Sequence, residues 1–205
     1  FGTLTIKFGD KEIDMSGDWG RVSFRELLIK YANIDIEVEN TKEKLLAKIL
    51  ENKIEVESET PIENLGFGNL VDVLYKKVAR PHMLGPVYLT EHPTSLSPLA
   101  RSNDERPEIS DRFQLVINGA EIVNGYSELV DPQEQEKRLL EQAALKAGGD
   151  EEAMEMDYDY IGAMEYGMPP ISGWGMGIDR LIQLLTNSEN IKDVVMFPLM
   201  RPLDK

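Results

Sequence analysis

The alternation of apolar and polar positions predicts a chain that opens with a hairpin and continues into helices. Residues 2–8 alternate in the period of a strand, and Gly9-Asp10 marks a turn into residues 12–15, which predicts a β-hairpin. Apolar residues then recur at helical spacing, which predicts a mainly helical subregion from about residue 22 to residue 80. Three N-terminal capping signals predict where its helices begin: Ser23 with Glu26, Thr41, and Thr60-Pro61 with Glu63.

Beyond Pro86 the pattern changes to strands. Val87–Thr90 and Arg112–Ile117 are rich in β-forming residues, and residues 120–129 return after Asn118-Gly119, a strong signal for a tight hairpin turn. Helices and a further strand follow. The expected elements are a helix from Asp131-Pro132 to about Ala147, a helix over 158–166, a glycine-rich strand from about residue 171, a helix over 178–185 and a strand over 194–197. Helices interspersed with hairpin-linked strands predict an α+β fold with a mainly antiparallel sheet flanked by helices.

Composition narrows the class of protein. The 205 residues are 41% hydrophobic and 29% charged, which is globular composition, and no apolar run is long enough to cross a membrane. The formal net charge is −15, which argues against a surface that coats nucleic acid by itself. Cysteine is absent, so disulfides, thiolate metal sites and cysteine nucleophiles are excluded. A cysteine-free chain without a visible signal peptide predicts a cytoplasmic protein.

Histidine and serine offer little chemistry. His82 and His92 each lie beside a proline, so we expect both in loops with surface or packing roles. No histidine pair has helical metal spacing, and no GxSxG elbow supports a hydrolase triad.

Alternating glycines in Gly173-Trp-Gly-Met-Gly-Ile-Asp-Arg180 are the first chemical signal. Glycine weakens a strand unless something must approach the backbone closely. A dinucleotide fingerprint is excluded because the spacing is GxGxG and too little chain follows it for a doubly wound sheet. Two interpretations stay open. The glycines form a flat floor beneath an adenine or an amino acid, with Arg180 reaching the ligand, or the strand packs tightly on a helix and Arg180 makes a structural ion pair.

Polar residues within the strand at 120–129 are the second signal. Asn124 and Glu128 share one face by alternation and Glu121 falls on the other, so one site can use all three only if a bulge shifts the phase. Gly125 is the natural place for that bulge. The carboxylates would then face a metal ion or an ammonium substrate, because a buried carboxylate needs a cation. The alternative is an edge strand with solvated carboxylates.

These segments resemble class II lysyl-tRNA synthetases, in order and over nearly the whole chain. His92 stands where the family usually has tyrosine. The matching residues are Thr90-Glu-His-Pro93, Ser97-Pro-Leu-Ala-Arg101, Arg112-Phe113, Glu121-Ile122, Asn124-Gly125, Ser127-Glu-Leu129, Asp131-Pro132, Gln135, Arg138, Gly173 to Leu181 (the third signature motif), Leu185-Thr-Asn-Ser188, Ile191, Val194 and Phe197 to Pro202.

The resemblance implies an antiparallel sheet flanked by helices and a two-step reaction. Lysine attacks the α-phosphate of ATP to give lysyl-adenylate and pyrophosphate, and the lysyl group then moves to tRNA(Lys). Carried over by position, Asn124 would contact the α-amino or carboxylate end of lysine, Glu128 would pair with its ε-ammonium, and Gly173 would form part of the pocket floor.

On the nucleotide side, the resemblance implies that Gly175 and Gly177 lie under ATP, while Arg180 covers the adenine and reaches the γ-phosphate as the catalytic arginine. Glu121 would hold Mg²⁺ on the phosphates. Gln114 stands where the family normally has a second metal-binding glutamate, and its amide oxygen can ligate Mg²⁺ but brings no charge.

The family's first two signature motifs and its anticodon-binding OB domain do not appear in this sequence. The resemblance therefore implies that residues 1–205 are the C-terminal portion of a catalytic domain, inactive without an N-terminal half. The family forms homodimers through the first motif, so the resemblance of this chain does not by itself imply a dimer. Two alternatives remain: the paralogue that attaches lysine to elongation factor P, and a non-catalytic module that binds ATP or lysine.

Overall fold

A computed structural model describes residues 2–198 of the chain. It confirms the α+β class, with a five-stranded sheet in the order β3-β4-β5-β6-β7, in which β3 and β4 are parallel and the other pairs antiparallel, and a separate β1-β2 hairpin. The elements are β1 (Thr5–Phe8), β2 (Lys11–Asp14), β3 (Gly20–Ser23), α1 (Phe24–Ala32), α2 (Lys42–Glu51), α3 (Phe67–Val78), β4 (Val87–Pro93), β5 (Ile109–Ile117), β6 (Ala120–Ser127), α4 (Pro132–Ala147), α5 (Tyr158–Glu165), β7 (Ser172–Met176) and α6 (Ile178–Thr186).

Local signals placed most of these elements correctly. Ser23 and Glu26 form both bonds of the expected capping box at the start of α1, and Thr41 caps α2 by accepting a bond from the Lys44 amide. Asn118 and Gly119 have φ of 50° and 70°, the left-handed geometry of a two-residue hairpin turn between β5 and β6.

The helices α1, α2 and α3 bury one core against the β4 side of the sheet. Its members that are almost fully buried include Phe24, Leu28, Leu45, Leu70, Leu74 and Leu89. A second core lies on the opposite face, where Leu184 of α6 packs with Ile13 of β2 and with Leu115, Ile117, Ile122 and Val123 of β5 and β6. Because α6 follows β7 after one residue, this packing anchors the glycine-rich strand.

Register places Leu89, Gln114, Asn124 and Gly175 directly beside one another across β4 to β7. Paired residues of adjacent strands project from the same face of a sheet. One row of side chains therefore runs from the helical core at Leu89 to the glycines of β7.

The predicted start of the third helix is wrong. The amide of Asn64 closes a single turn on the carbonyl of Pro61 at 2.8 Å, and the helix begins only at Phe67. The reason is a distant partner, because the fully buried carboxylate of Asp150 accepts the Gly66 amide at 2.7 Å. The segment after Thr60 therefore forms one turn rather than a helix.

The strand expected at 194–197 is also absent. Ile191–Asp193 form a 3₁₀ turn, and no strand within residues 2–198 pairs with the segment that follows. Met196 and Phe197 are instead 86% and 88% exposed. A strand requires a partner edge, and an apolar run alone does not supply one. Residues 199–202 of the lysyl-type ending lie outside the described residues.

The expectation that both histidines lie in loops is wrong for His92. This residue belongs to β4, is 0% exposed, and its ring lies 4.9 Å from that of Phe24. Neither ring nitrogen has a hydrogen-bond partner among the described residues. Burial, and then the charge of Arg112, lower the pKa of His92 to about 3, so the ring is neutral at ordinary pH. His82 lies in a 3₁₀ turn, stacked on Tyr31.

No helix in the described part of the chain is both long and apolar enough to cross a bilayer.

Candidate active site

An open cleft of about 490 Å³ lies over β6, β7 and the start of α6. It brings together seven of the eight predicted site residues, and the eighth, Gln114, touches one of them from β5. The residues lining the cleft are Glu121, Ile122, Asn124, Tyr126, Glu128, Gly173, Trp174, Gly175, Met176, Gly177 and Arg180.

A β-bulge brings Glu121 to the same cleft as Asn124 and Glu128, as the sequence required, but its predicted place was wrong. Val116 of β5 pairs with Glu121 and the preceding Leu115 pairs with Val123, so Ile122 is the extra residue. The Ile122 carbonyl accepts the Gly177 amide at 2.9 Å, which ties the bulge to the start of α6. The bulge therefore sets the position of Glu121 relative to the residues that follow β7.

Gly125, the predicted bulge residue, lies in regular register with Phe113 and Trp174. An added Cβ at this position would lie 2.8 Å from the Trp174 Cβ and 2.9 Å from the Phe113 Cε1. Close packing on the face opposite the cleft therefore explains this glycine, and backbone geometry does not.

The two glycines of β7 and Gly177, which precedes α6, differ in the atoms that surround them. A Cβ at Gly173 would approach the Glu128 Oε1 to 3.2 Å, and one at Gly177 would approach the Arg180 Cδ to 3.3 Å. A Cβ at Gly175 would meet no described atom within 4 Å. Tight strand-to-helix packing, the alternative interpretation of the motif, therefore does not explain Gly175. Its missing side chain keeps the floor of the cleft flat.

Glu121 and Arg180 form one end of the cleft. The Arg180 guanidinium donates to the Glu121 carbonyl at 2.9 Å and lies 3.9 Å from the Glu121 Oε1, while the Gln114 amide donates to the other carboxylate oxygen. The Arg180 side chain keeps 46% of its surface exposed. Arg180 therefore makes the structural ion pair and also keeps an accessible guanidinium. Neither interpretation from the sequence excludes the other for this residue.

The oxygen atoms at Glu121 are suited to bind a metal ion that is already coordinated by a nucleotide. No group of three or more His, Cys, Asp or Glu side chains within residues 2–198 could hold a metal ion. Nucleotide-bound Mg²⁺ takes most of its ligands from phosphate and water and needs only one or two from the protein. The Glu121 carboxylate and the Gln114 amide oxygen, left over when the amide nitrogen donates to Glu121, fit that requirement.

Glu128 forms the other end of the cleft, just beyond the end of β6. It makes no ion pair with any described residue, and burial raises the pKa of its carboxyl. Burial first, and then the Glu128 charge, also raise the pKa values of Tyr126 and Tyr160. An unpaired carboxylate beside tyrosine rings is suited to an ammonium ligand. Sequence reasoning did not identify Tyr160 of α5 as a neighbour of Glu128, because nothing in its local sequence connects it with β6.

Arg112 was recognised only as part of a resemblance, and the structure gives it a clear place. Its Nε donates to the Asn124 Oδ1 at 2.9 Å, and its Nη1 donates to the Ser97 Oγ at 3.0 Å and to the Leu96 carbonyl at 3.3 Å. Burial lowers the pKa of this guanidinium, and the charge of Glu121 opposes the change. The structure pairs Arg112 with Tyr126 and links it to the 96–97 turn, and the sequence revealed neither contact.

Another cavity, of about 570 Å³, lies between α1, α3 and the end of β4. Its two arginines are already paired, because Arg25 contacts Asp35 and Glu37, and Arg106 contacts Glu37, Glu91 and Glu108. Both guanidinium groups are therefore already engaged by carboxylates, so the cleft over β6 and β7 is the better candidate site.

Comparison with known proteins agrees with this geometry. The chain matches the family of class II tRNA synthetases (D, K and N) over residues 3–201. It is 45% identical over 203 residues to a lysine–tRNA ligase of Thermosipho africanus, 43% identical over 199 residues to one of Campylobacter jejuni subsp. doylei, and 42% identical over 202 residues to one of Enterobacter sp.. These alignments cover 99%, 97% and 98% of the chain and 39% of each relative.

The chain therefore belongs to the class II tRNA synthetases, and its mainly antiparallel sheet with flanking helices is consistent with the catalytic-domain fold of that class. The relatives confirm the resemblance to the lysyl-tRNA synthetases of this class. The chain spans about two fifths of the length of these relatives.

Proposed function

We propose that this chain forms the lysine- and ATP-binding part of a lysine–tRNA ligase. In this proposal Glu128 binds the ε-ammonium of lysine, Asn124 and Gly173 complete the lysine pocket, and the nucleotide lies over Gly175 and Gly177. The observation that carries the proposal is the unpaired Glu128 at one end of a glycine-floored cleft whose other end holds Arg180. The names of the relatives support lysine as the amino acid and tRNA as the acceptor.

The reaction class follows from the charges. The amino acid carboxylate attacks the α-phosphate, so negative charge on the phosphates must be neutralised and the two reactants must be aligned. Arg180 is half exposed and fixed by two contacts with Glu121, so it can meet the phosphates without reorganisation. When Mg²⁺ is bound it adds further charge neutralisation on the phosphates, and Glu121 with Gln114 would hold it there.

We further propose that the chain supplies the C-terminal portion of the catalytic domain, with α1 to α3 as its mainly helical subregion. All five residues of β7 are exposed, and β7 is the last strand of the sheet, so the cleft is open on that side. A site with one open wall holds a ligand less firmly, because fewer groups position it. The cytoplasmic location stays a prediction.

The test is binding of L-lysine to the chain by titration calorimetry, together with lysine-dependent ATP–pyrophosphate exchange. Lysine should bind, and norleucine, which lacks the ε-ammonium, should bind at least tenfold more weakly. Glu128→Gln should remove that preference, whereas Glu136→Gln, at a half-buried position of α4 that does not line the cleft, serves as the matched control. Equal binding of lysine and norleucine would refute the assignment of Glu128. Exchange by the chain alone would show that it needs no further residues for activation.

A further inference from the structure

Arg112 lies beside the cleft, on the same face of the sheet, and contacts Asn124 from the neighbouring strand β5. We propose that Arg112 is a positioning residue, which fixes the orientation of the Asn124 amide so that its nitrogen donates into the cleft. The identity of the ligand in the experiment below rests on the proposed function, but the orientation of the amide does not.

The contact between the two side chains determines the amide orientation. An arginine has only donors, so the Asn124 atom that lies 2.9 Å from the Arg112 Nε must be the oxygen. The amide nitrogen makes no hydrogen bond within residues 2–198, although Asn124 lines the cleft. Asn124 therefore offers two N–H donors to a ligand. Such donors bind an acceptor such as a carboxylate oxygen, and do not bind an ammonium group.

Arg112 is itself held in place by the chain before β5. Its Nη1 donates to the Ser97 Oγ and to the Leu96 carbonyl, so three bonds define the plane of the guanidinium. The same residues, Arg112, Asn124 and Ser97, line a small cavity of about 150 Å³ beside the cleft. The Asn124 amide thus lies between the cleft and this smaller cavity, and its oxygen faces Arg112, which lines the smaller cavity.

The charge of Arg112 supports the same polarity. No carboxylate in the described part of the chain forms an ion pair with it, although it is half-buried, and its hydrogen-bond partners are neutral oxygens. Buried charges in structural roles are normally paired with an opposite charge. A positive charge directly behind two N–H donors favours an anionic group in the cleft.

The experiment compares lysine with lysinamide, which keeps both ammonium groups but lacks the carboxylate. The wild-type chain should bind lysine about fivefold more tightly, the equivalent of one hydrogen bond. Arg112→Met should bring the ratio to about one. Arg112→Lys should restore only part of it, because one ammonium cannot hold Asn124 and Ser97 together. Arg106→Lys, the same change within the ion-pair network of the other cavity, should keep the full ratio.

A second variant tests the proposal independently of whether the Arg112 variants fold. Asn124→Asp keeps a partner for Arg112 and presents acceptors to the cleft, so it should reverse the preference to favour lysinamide. A ligand-free measurement is independent of lysine: the NMR order parameter of the Asn124 side-chain N–H bonds should fall in Arg112→Met and stay unchanged in Arg106→Lys.

The outcomes separate the two proposals. If neither lysine nor lysinamide binds the wild-type chain while the Asn124 order parameter falls in Arg112→Met, the lysine assignment fails and the positioning role stands. If Arg112→Met retains both the wild-type ratio and the wild-type order parameter, Arg112 supports only the 96–97 turn and the inference is overturned. A wild-type chain that does not distinguish the two ligands would also overturn the proposed donor in the cleft.

Discussion

Two glycines of the same sheet should respond in opposite ways when a methyl group is added. Gly175→Ala places a Cβ where no described atom lies within 4 Å, so it should leave the packing unchanged. Replacing glycine where alanine meets no strain stabilises a protein by about 0.4–1 kcal/mol, because the unfolded chain loses conformations. The same methyl group projects into the cleft and should weaken ATP or lysine binding by roughly tenfold or more, or about 1.4 kcal/mol.

Gly125→Ala is the matched comparison. Its Cβ would lie 2.8 Å from the Trp174 Cβ and 2.9 Å from the Phe113 Cε1, well inside the roughly 3.5–4.0 Å of an ordinary carbon contact. Overpacking of this kind costs about 1–3 kcal/mol. For a chain of this size, each kcal/mol lowers the Tm by roughly 2–4 °C, so Gly125→Ala should lose about 2–12 °C.

Calorimetry measures both effects. Scanning calorimetry gives the Tm of each variant, and titration with ATP and Mg²⁺ or with lysine gives the affinities. The expected result is a stable Gly175→Ala chain that binds poorly and a destabilised Gly125→Ala chain. A Gly175→Ala chain that loses more than about 1 kcal/mol of stability would show that hidden packing explains this glycine. Unchanged affinity for both ligands would show that Gly175 is not part of the floor.

Three further perturbations test the charges around the site. His92→Phe should remove the acid sensitivity of stability that this buried ring causes. Because the pKa of His92 is lowered to about 3 in the folded state, the wild-type chain loses up to about 1.4 kcal/mol of stability per pH unit as the pH falls below about 6.5. Urea unfolding at several pH values should therefore show a flatter dependence of stability on pH for the variant. Glu128→Gln should raise the Tm at pH 7 but not at pH 4, because a carboxyl whose pKa is raised by folding destabilises the folded chain once it ionises; an equal Tm at pH 7 would contradict this. Gln114→Glu should bind Mn²⁺ without nucleotide at least tenfold more tightly than the wild-type chain does, because Glu121 gains a second carboxylate beside it. Electron paramagnetic resonance measures this binding as loss of the free-ion signal. Tight Mn²⁺ binding by the wild-type chain would show that Glu121 needs no second carboxylate.

What could be predicted from the sequence depended on the distance over which each signal acts. The capping box at Ser23, the turn at Asn118-Gly119 and the cap at Asp131 act within four residues, and all three occur as expected. The start of α3 at Phe67 could not be predicted, because its cause is Asp150, which is 84 residues away from Gly66.

The candidate site shows the same division. The need for a bulge followed from alternation within β6, but its place at Ile122 depends on pairing with Val116 and on the Gly177 amide. His92 was expected in a loop because of the adjacent proline, yet packing against Phe24 keeps it in β4. In each case a contact between distant segments decided the outcome, and a single sequence does not report such contacts.

Three of the residues identified from sequence reduce the stability of the sheet. Gly175 adds no packing, Glu128 is partly buried without a cation, and Asn124 leaves its amide nitrogen without a partner in the described chain. Each departs from what a strand of this sheet would otherwise favour, and no described neighbour compensates for it. A ligand with an ammonium group, a carboxylate and a flat ring would compensate for all three at once. This shared deficit is the physical reason to assign them to one site. The contact of Arg112 with Asn124 and with the 96–97 turn could be found only from the structure.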